Sequence, residues 1–237
     1  MEPSVMLPNN LESQKGQVRF LIEKVFNYAR MGLPREGYFV DLAGGHPNRH
    51  SNTWFIETFL DWKGILIEPN PRFAELLRAH RKSAVVETVI AADDGGLVQF
   101  RVDNGMLGGI VGDDFDNSRR KVEEAGKQAR VLSLQTQTLE SVLEEYGAPP
   151  EIDYLSLDVE GSEWECLRKF PFSRWRFRAM TVERMPLKLG LLLDAHGYIQ
   201  VAHEKHDTFL VHRDFVESMN REGLNPRFWI GPPKPKS

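Results

Sequence analysis

Gly37-Tyr-Phe-Val-Asp41-Leu-Ala-Gly44-Gly45 and Gly64-Ile-Leu-Ile-Glu68-Pro-Asn-Pro71 share one plan, a brief apolar run that closes on an acid. A run this short, bounded by glycine, reads as a strand buried on both faces, as in a parallel sheet. The plan recurs at Ile152–Leu157, which closes on Asp158, and at Met180–Val182, which closes on Glu183. Helical spacing fills the gaps. Ser51 can cap a helix through Trp62, and Asn70 with Pro71 supplies an N-cap and first helical residue for Phe73–His80. Thr138 opens a helix to Tyr146, and Glu163–Phe170 and Lys188–Ala195 carry two more. Strand-helix-strand repeats of this kind specify an α/β fold, a mostly parallel sheet with helices on both faces. Tyr198–Val201 and Thr208–Val211, joined by a turn at Glu204–Asp207, add an antiparallel hairpin at its end.

Working outward, Val18, Leu21, Val25 and Ala29 recur at helical spacing, so residues 1–36 read as a helical lead-in to a domain over 37–213. Ala84–Ala91 and Val98–Val102 read as a third and a fourth strand around an Asp-Asp-Gly-Gly turn. Asp103–Arg130 is rich in glycine and aspartate, then strongly charged, the composition of a lid or of an insertion laid outside the core. Residues 214–237 form a C-terminal extension. In it, Phe228-Trp-Ile-Gly231 is apolar enough to pack on the body or on a second subunit of a homo-oligomer, and Gly231–Ser237 reads as polyproline-like.

Composition removes several classes of function. The 237 residues carry 30 Lys and Arg against 34 Asp and Glu, a net charge of −4 without the basic surface that general nucleic-acid binding needs. The single cysteine, Cys166, excludes an internal disulfide framework and a Cys-based zinc site, and its helical surroundings read as those of a buried, inert thiol. No stretch approaches the ~18 consecutive apolar residues of a membrane span. The N-terminus lacks the basic-then-apolar order of a secretory signal, so a cytoplasmic location is expected.

Ligands of such a sheet bind at the carboxyl ends of its strands, where Asp41, Glu68, Asp158 and Glu183 gather. Four acids at one edge repel one another unless a cationic or hydroxyl-bearing ligand joins them. The Gly44-Gly45 turn lets a ligand approach the backbone and leaves amides available to it. Its spacing is not that of the dinucleotide fingerprint, which disfavours a nicotinamide oxidoreductase. Glu68 follows one strand-helix-strand unit later, where a carboxylate can accept both hydroxyls of a ribose.

Ser51-Asn52-Thr53, Trp62-Lys-Gly-Ile-Leu-Ile-Glu68-Pro69-Asn-Pro71 and Leu157-Asp-Val-Glu160-Gly-Ser-Glu163 together resemble the FkbM-type methyltransferases, from about Gly37 to Arg213. The resemblance implies a Rossmann-like class I methyltransferase sheet of seven strands with a reversed hairpin, and S-adenosylmethionine as cofactor. Asp41, Gly44 and Gly45 would hold its methionine part and Glu68 its ribose. Asp93 would flank the adenine, Asn52 and Pro69 would complete the set, and Asp158 would lie beside the sulfonium. The chain departs from the family pattern at Ala43, where the first glycine of the turn usually stands, and at Ser156, where lysine is common.

The reaction so implied is methyl transfer to a hydroxyl of a small metabolite or sugar, needing an aligned acceptor and a base near the proton it loses. Asp158 suits the position beside the cation. Glu160, Glu183 and His46, in the loop over the first strand, are the further catalytic candidates. No metal site is expected from His46-x-x-x-His50 or His203-x-x-His206, although Asp158 and Glu183 have the chemistry to hold Mg2+ against acceptor hydroxyls. Transfer to nitrogen or carboxylate, or a binding or scaffold protein that keeps the fold without catalysis, are the alternatives.

Overall fold

The computed structural model describes residues 17–26 and 36–223. Its strands in chain order are β1 (Tyr38–Leu42), β2 (Lys63–Ile67), β3 (Ala84–Val86), β4 (Val89–Ile90), β5 (Leu97–Arg101) and β6 (Gly109–Ile110). They continue with β7 (Val131–Gln137), β8 (Glu151–Leu157), β9 (Arg176–Glu183), β10 (Tyr198–Glu204) and β11 (Asp207–His212). The helices are α1 (Trp54–Leu60), α2 (Pro71–His80), α3 (Arg119–Ala125), α4 (Leu139–Glu145), α5 (Glu163–Leu167), α6 (Leu187–Ala195) and α7 (Arg213–Arg221). Gln17–Phe20 and Leu21–Val25 form a short helical segment ahead of them.

Seven strands make the principal sheet, in the order β10-β11-β9-β8-β1-β2-β3. β11 runs antiparallel to both its neighbours, and every other pairing in the sheet is parallel. This is the seven-stranded, Rossmann-like sheet with a reversed hairpin that the resemblance implied. From β1 the chain steps outward through β2 to β3, then returns to β8 on the opposite side of β1. The strand order therefore reverses between β1 and β8, the switch point where α/β sheets open a ligand crevice.

Alternation along β1 explains its unbroken apolar run. Val40 and Leu42 enter a core shared with α4 and α6, whereas Phe39 enters one shared with α1 and the N-terminal segment. Both faces are covered, so no position is left for a solvated side chain. Asn70 caps α2 by accepting from the Arg72 amide, and Thr138 caps α4 by accepting from the Ser141 amide. Ser51 accepts from the Thr53 and Trp54 amides at the start of α1.

A smaller sheet, β4-β7-β5-β6, stands beside the first around Val89, Phe100 and Ile110. It corrects the expected third and fourth strands. Ala84–Ala91 breaks at Glu87-Thr88, so β3 stays in the principal sheet while β4 crosses to the second. β5 also belongs to the second sheet, and β7 is a strand that the helix-and-strand reading did not include. Within Asp103–Arg130, α3 buries none of its residues, but β6 and the turn Gly105–Leu107 fold against the body. The expected C-terminal extension begins with α7, which buries Val216 and Met219. Phe228–Gly231, the terminal polyproline-like stretch and most of the expected N-terminal helix lie outside the described residues.

Candidate active site

Strand register brings three of the sequence-predicted acids into one row with Ala43, and sets Asp41 two residues back along β1, level with Leu66 and Ser156. Leu42 pairs with Ile67 on one side and Leu157 on the other, and Leu157 pairs with Val182. The next residue of each strand is therefore Glu68, Ala43, Asp158 and Glu183, side by side across the switch point. Above the row the chain turns through Ala43 at φ +68° and Gly45 at φ +54°, left-handed conformations that glycine tolerates and alanine resists. Ala43 thus occupies, at a conformational cost, the position where the resemblance implied glycine.

The turn's amides are engaged, contrary to the expectation that they stand open. Those of Ala43 and Gly44 donate to the Ile67 carbonyl at 2.9 and 3.2 Å. The Gly45 amide donates to Glu68 Oε2 at 2.8 Å, while Glu68 Oε1 accepts from the Asn70 amide at 2.8 Å. Burial pushes the Glu68 carboxyl up to about 7 against the opposing pull of these two amides.

Two compartments meet at Ala43 and Met106. One is apolar and is bounded by Ile67, Pro69, Phe73, Ile90, Phe100 and Ile110, with Glu68 at its edge. The other is polar and is bounded by Asp41, Gly45, Asn52, Ser156, Asp158 and Glu160, with His50 also lining it. Met106 comes from the Gly105–Leu107 turn, and a Cβ added to Gly45 would lie 3.1 Å from its Cε. Asn117 holds this turn in place by donating to the Leu107 carbonyl at 3.0 Å.

Beneath the polar compartment runs a buried relay. Asp41 Oδ2 accepts from Thr53 Oγ1 at 2.6 Å, and Arg81 donates to Thr53 Oγ1 at 3.0 Å, to Ser51 Oγ at 3.2 Å and to the Pro47 carbonyl at 3.2 Å. Arg81 pairs with Glu57 at 2.5 Å, their side chains 0% and 4% exposed. Burial raises the Asp41 carboxyl above its ordinary value, with Thr53 and Arg81 opposing. For Glu57 burial also pushes upward, but Arg81 and Ser83 overcome it and the group is lowered.

At the far side Asp158, Glu160 and Glu183 each bring a carboxylate oxygen within 4.8 Å of the others. Arg184, itself at φ +45°, reaches Glu160 at 2.7 Å, Glu183 at 2.8 Å and Asp116 at 2.6 Å. Burial, then a hydrogen bond and repulsion from Glu183, then Glu160 and Glu163 hold the Asp158 carboxyl well above the carboxylate range. Burial also raises Glu160, with Arg184 opposing. A hard cation there would compete with Arg184, which already holds one oxygen of Glu160 and one of Glu183. Asn52 Oδ1 and Asp158 Oδ1 are buried acceptors without a donor among the described residues.

The fold thus gathers Asp41, Gly44, Gly45, Asn52, Glu68, Pro69, Asp158 and Glu160 around one cleft, with Glu183 beside Asp158. It does not bring His46 or Asp93 there. His46 Nδ1 accepts from the Asn48 and Arg49 amides of its own loop, and His50 is the histidine that lines the cleft. Asp93 is exposed and ion-paired with Lys169 at 2.6 Å, away from the apolar compartment. Met106 is a participant that sequence reasoning did not single out, and His50, weighed there only for metal-ligand spacing, lines the cleft. For Met106 a signal existed in the small-and-apolar run Gly105–Gly112.

The methyltransferase FkbM domain matches residues 43–217, most of the chain. No curated protein matches it significantly. Among solved structures the chain is similar to M. capricolum TrmK, solved with the natural cofactor product S-adenosylhomocysteine, at 11% identity and a TM-score of 0.36. That alignment covers 78% of this chain and 65% of TrmK, so it spans less than two thirds of that protein's length.

Proposed function

The chain belongs to the methyltransferase FkbM domain family, and from that premise we propose that it transfers a methyl group from S-adenosylmethionine to a hydroxyl of a small metabolite or sugar. The observation that carries this reading is the row Glu68, Ala43, Asp158, Glu183 at the switch point, with an apolar compartment at one end and a polar one at the other. An adenine suits the apolar walls of Ile67, Phe73 and Ile90. Glu68 keeps lone pairs for ribose hydroxyls beyond the two amides it already accepts from. Asn52 Oδ1 and Asp158 Oδ1 fit the same cofactor, because each is an acceptor awaiting a donor or a positive charge.

Bound in this cleft, S-adenosylmethionine supplies an electrophilic methyl group that needs no further activation. The protein's own work is alignment and exclusion of water. Asp41, Gly44, Gly45 and Asn52 hold the methionine end, with the Arg81 relay fixing the loop beneath. Asp158, raised by burial, is drawn back to its ionised form by the positive charge of the sulfonium, and in that form offers it negative charge. Glu160 and Glu183 face the acceptor, and either can receive the hydroxyl proton as the O–C bond forms and the methyl's bond to sulfur breaks, leaving the neutral thioether. Met106 and Leu107 cover the join between the compartments. Asp93 and His46 take no part in this reading.

Calorimetry with S-adenosylhomocysteine and with NADH tests it. Binding of the first and not the second is the expected result, followed by labelled-methyl transfer in a screen of hydroxyl acceptors. Binding of NADH alone would sink the reading.

A further inference from the structure

We propose that Asp116 and Arg184 are positioning residues that latch the Gly105–Leu107 turn across the cleft, and that this latch sets how fast the cofactor leaves. The release rate rests on the methyl-transfer reading, whereas the latch itself does not.

Any ligand that spans both compartments must lift this turn to enter. Met106 lines both of them, and its Cε would lie 3.1 Å from a Cβ on Gly45, so it closes their join against the β1 loop. The turn is lightly held. Met106 is 40% and Leu107 54% exposed, and Gly105 enters at φ +61° with nothing within 4 Å of a Cβ placed there. Its bonds to Asn104, each 3.1 Å, are local. From beyond β6, Asn117 Nδ2 donates to the Leu107 carbonyl at 3.0 Å.

Asn117 is placed by its neighbour. The Asp116 amide donates to the Glu160 carbonyl at 3.2 Å, and a Cβ on Gly161 would lie 3.0 Å from that amide nitrogen, so the two segments touch backbone to backbone. Asp116 Oδ2 lies 2.6 Å from Arg184 Nη1, a charge contact, and takes no aligned hydrogen bond among the described residues. Arg184 is the fixed end. Its amide donates to the His206 carbonyl at 2.7 Å in the hairpin turn, and its Nη2 reaches Glu160 and Glu183 at 2.7 and 2.8 Å. A path of contacts therefore runs from the carboxyl end of β9 through Asp116 and Asn117 to the turn over the cleft. Its strength suits opening. The Asp116 and Arg184 side chains are 35% and 41% exposed, and so exposed a pair adds little to global stability and is screened by salt. It can part while the sheet stays folded.

The test measures amide hydrogen exchange at residues 105–108 of the ligand-free full chain, and the dissociation rate of S-adenosylhomocysteine by stopped flow. Asp116→Asn should speed both by about threefold, the scale of an exposed ion pair, with exchange in β1 and β8 unchanged. Asn117→Ala cuts the same path nearer the turn, so adding Asp116→Asn to it should change neither rate further. In wild type, about 0.5 M NaCl should loosen residues 105–108 by screening the pair, a check that holds even if a variant fails to fold. Exchange at 105–108 that ignores both Asp116→Asn and salt overturns the latch, as does a double variant whose effect is the product of the two single ones. S-Adenosylhomocysteine leaving at the wild-type rate from a loosened turn overturns its role in release and leaves methyl transfer standing. Should S-adenosylhomocysteine not bind wild type at all, the methyl-transfer reading falls and the role in release with it, and the exchange rates still decide the latch.

Discussion

Asp158 and Glu183 end neighbouring parallel strands and bring carboxylate oxygens within 4.8 Å of one another. Burial and this contact hold Asp158 above its ordinary value, so the folded protein keeps a proton there that the unfolded chain releases. The stability contributed is present at acid pH and is lost as pH rises through the raised value. Asp158→Asn cannot ionise and escapes that loss. Its melting temperature should exceed that of wild type at pH 8, and the difference should shrink toward pH 5 in a series of thermal melts. The same substitution removes the charge offered to the sulfonium, so single-turnover methyl transfer should slow by ~10²-fold or more. A variant that is both destabilised at pH 8 and fully active would contradict both roles.

Glu68 makes a different pH prediction. Its carboxyl lies at about 7, raised first by burial, so its charge changes within the physiological range. A ribose is held best by the ionised form. Affinity for S-adenosylhomocysteine should therefore rise between pH 6 and pH 8 and level off above. In Glu68→Gln the profile should flatten and binding weaken by ~1.5–3 kcal/mol, the scale of a lost charged acceptor. Calorimetric titrations at several pH values measure both effects.

The turn over β1 gives a matched pair of substitutions. At φ +68° Ala43 adopts a backbone that costs an L-residue roughly 1–2 kcal/mol, part of which glycine returns as unfolded-state entropy. Ala43→Gly should stabilise the fold by ~0.5–1 kcal/mol in urea denaturation, with cofactor affinity retained. Gly45→Ala should act oppositely, because its new Cβ meets Met106 Cε at 3.1 Å in a left-handed conformation. Binding of S-adenosylhomocysteine should weaken at least tenfold, a loss of ~1.4 kcal/mol.

Arg81 is the residue on which the β1–α1 loop depends. Arg81→Met leaves Glu57 buried and unpaired and releases Ser51, Thr53 and the Pro47 carbonyl together. Loss of one partner from a buried pair costs ~3–5 kcal/mol. The urea midpoint should fall accordingly, and Glu57→Gln, which keeps hydrogen-bonding capacity, should fall less.

Much of this architecture is readable in the sequence where it depends on neighbours in the chain. The runs ending at Asp41, Glu68 and Asp158 mark β1, β2 and β8 because burial on both faces makes most of their residues apolar. Asn70-Pro71 marks the start of α2 by local backbone chemistry. β7 is harder to read, since Ser133, Gln135 and Gln137 interrupt its apolar residues and its strand character comes from pairing with β5. The break at Glu87-Thr88 is likewise imposed by the second sheet. Arg184 draws together Glu160 and Asp116 through contacts that no local pattern encodes. Of His46 and His50, the loop's own amides capture the first and leave the second on the cleft.

The placement of β11 between β9 and β10 also bears on how the protein is made. β9, with Glu183 at its end, leaves the ribosome before the strand that closes its edge, whose Asp207 pairs in register with Glu183. β10 emerges in between yet, among the described residues, joins the sheet through β11. At roughly 5–20 residues per second, synthesis from Glu183 to His212 takes about 1.5–6 s. Throughout that interval the nascent sheet carries an open edge of unpaired peptide groups, a template for wrong pairing. Asp207 is then received by Gln17 Nε2 at 3.2 Å, so one of the earliest described residues to be translated waits for one of the last. The edge at Glu183 is thereby closed only when the hairpin is complete, and chains released before residue 207 would keep that edge open to wrong pairing.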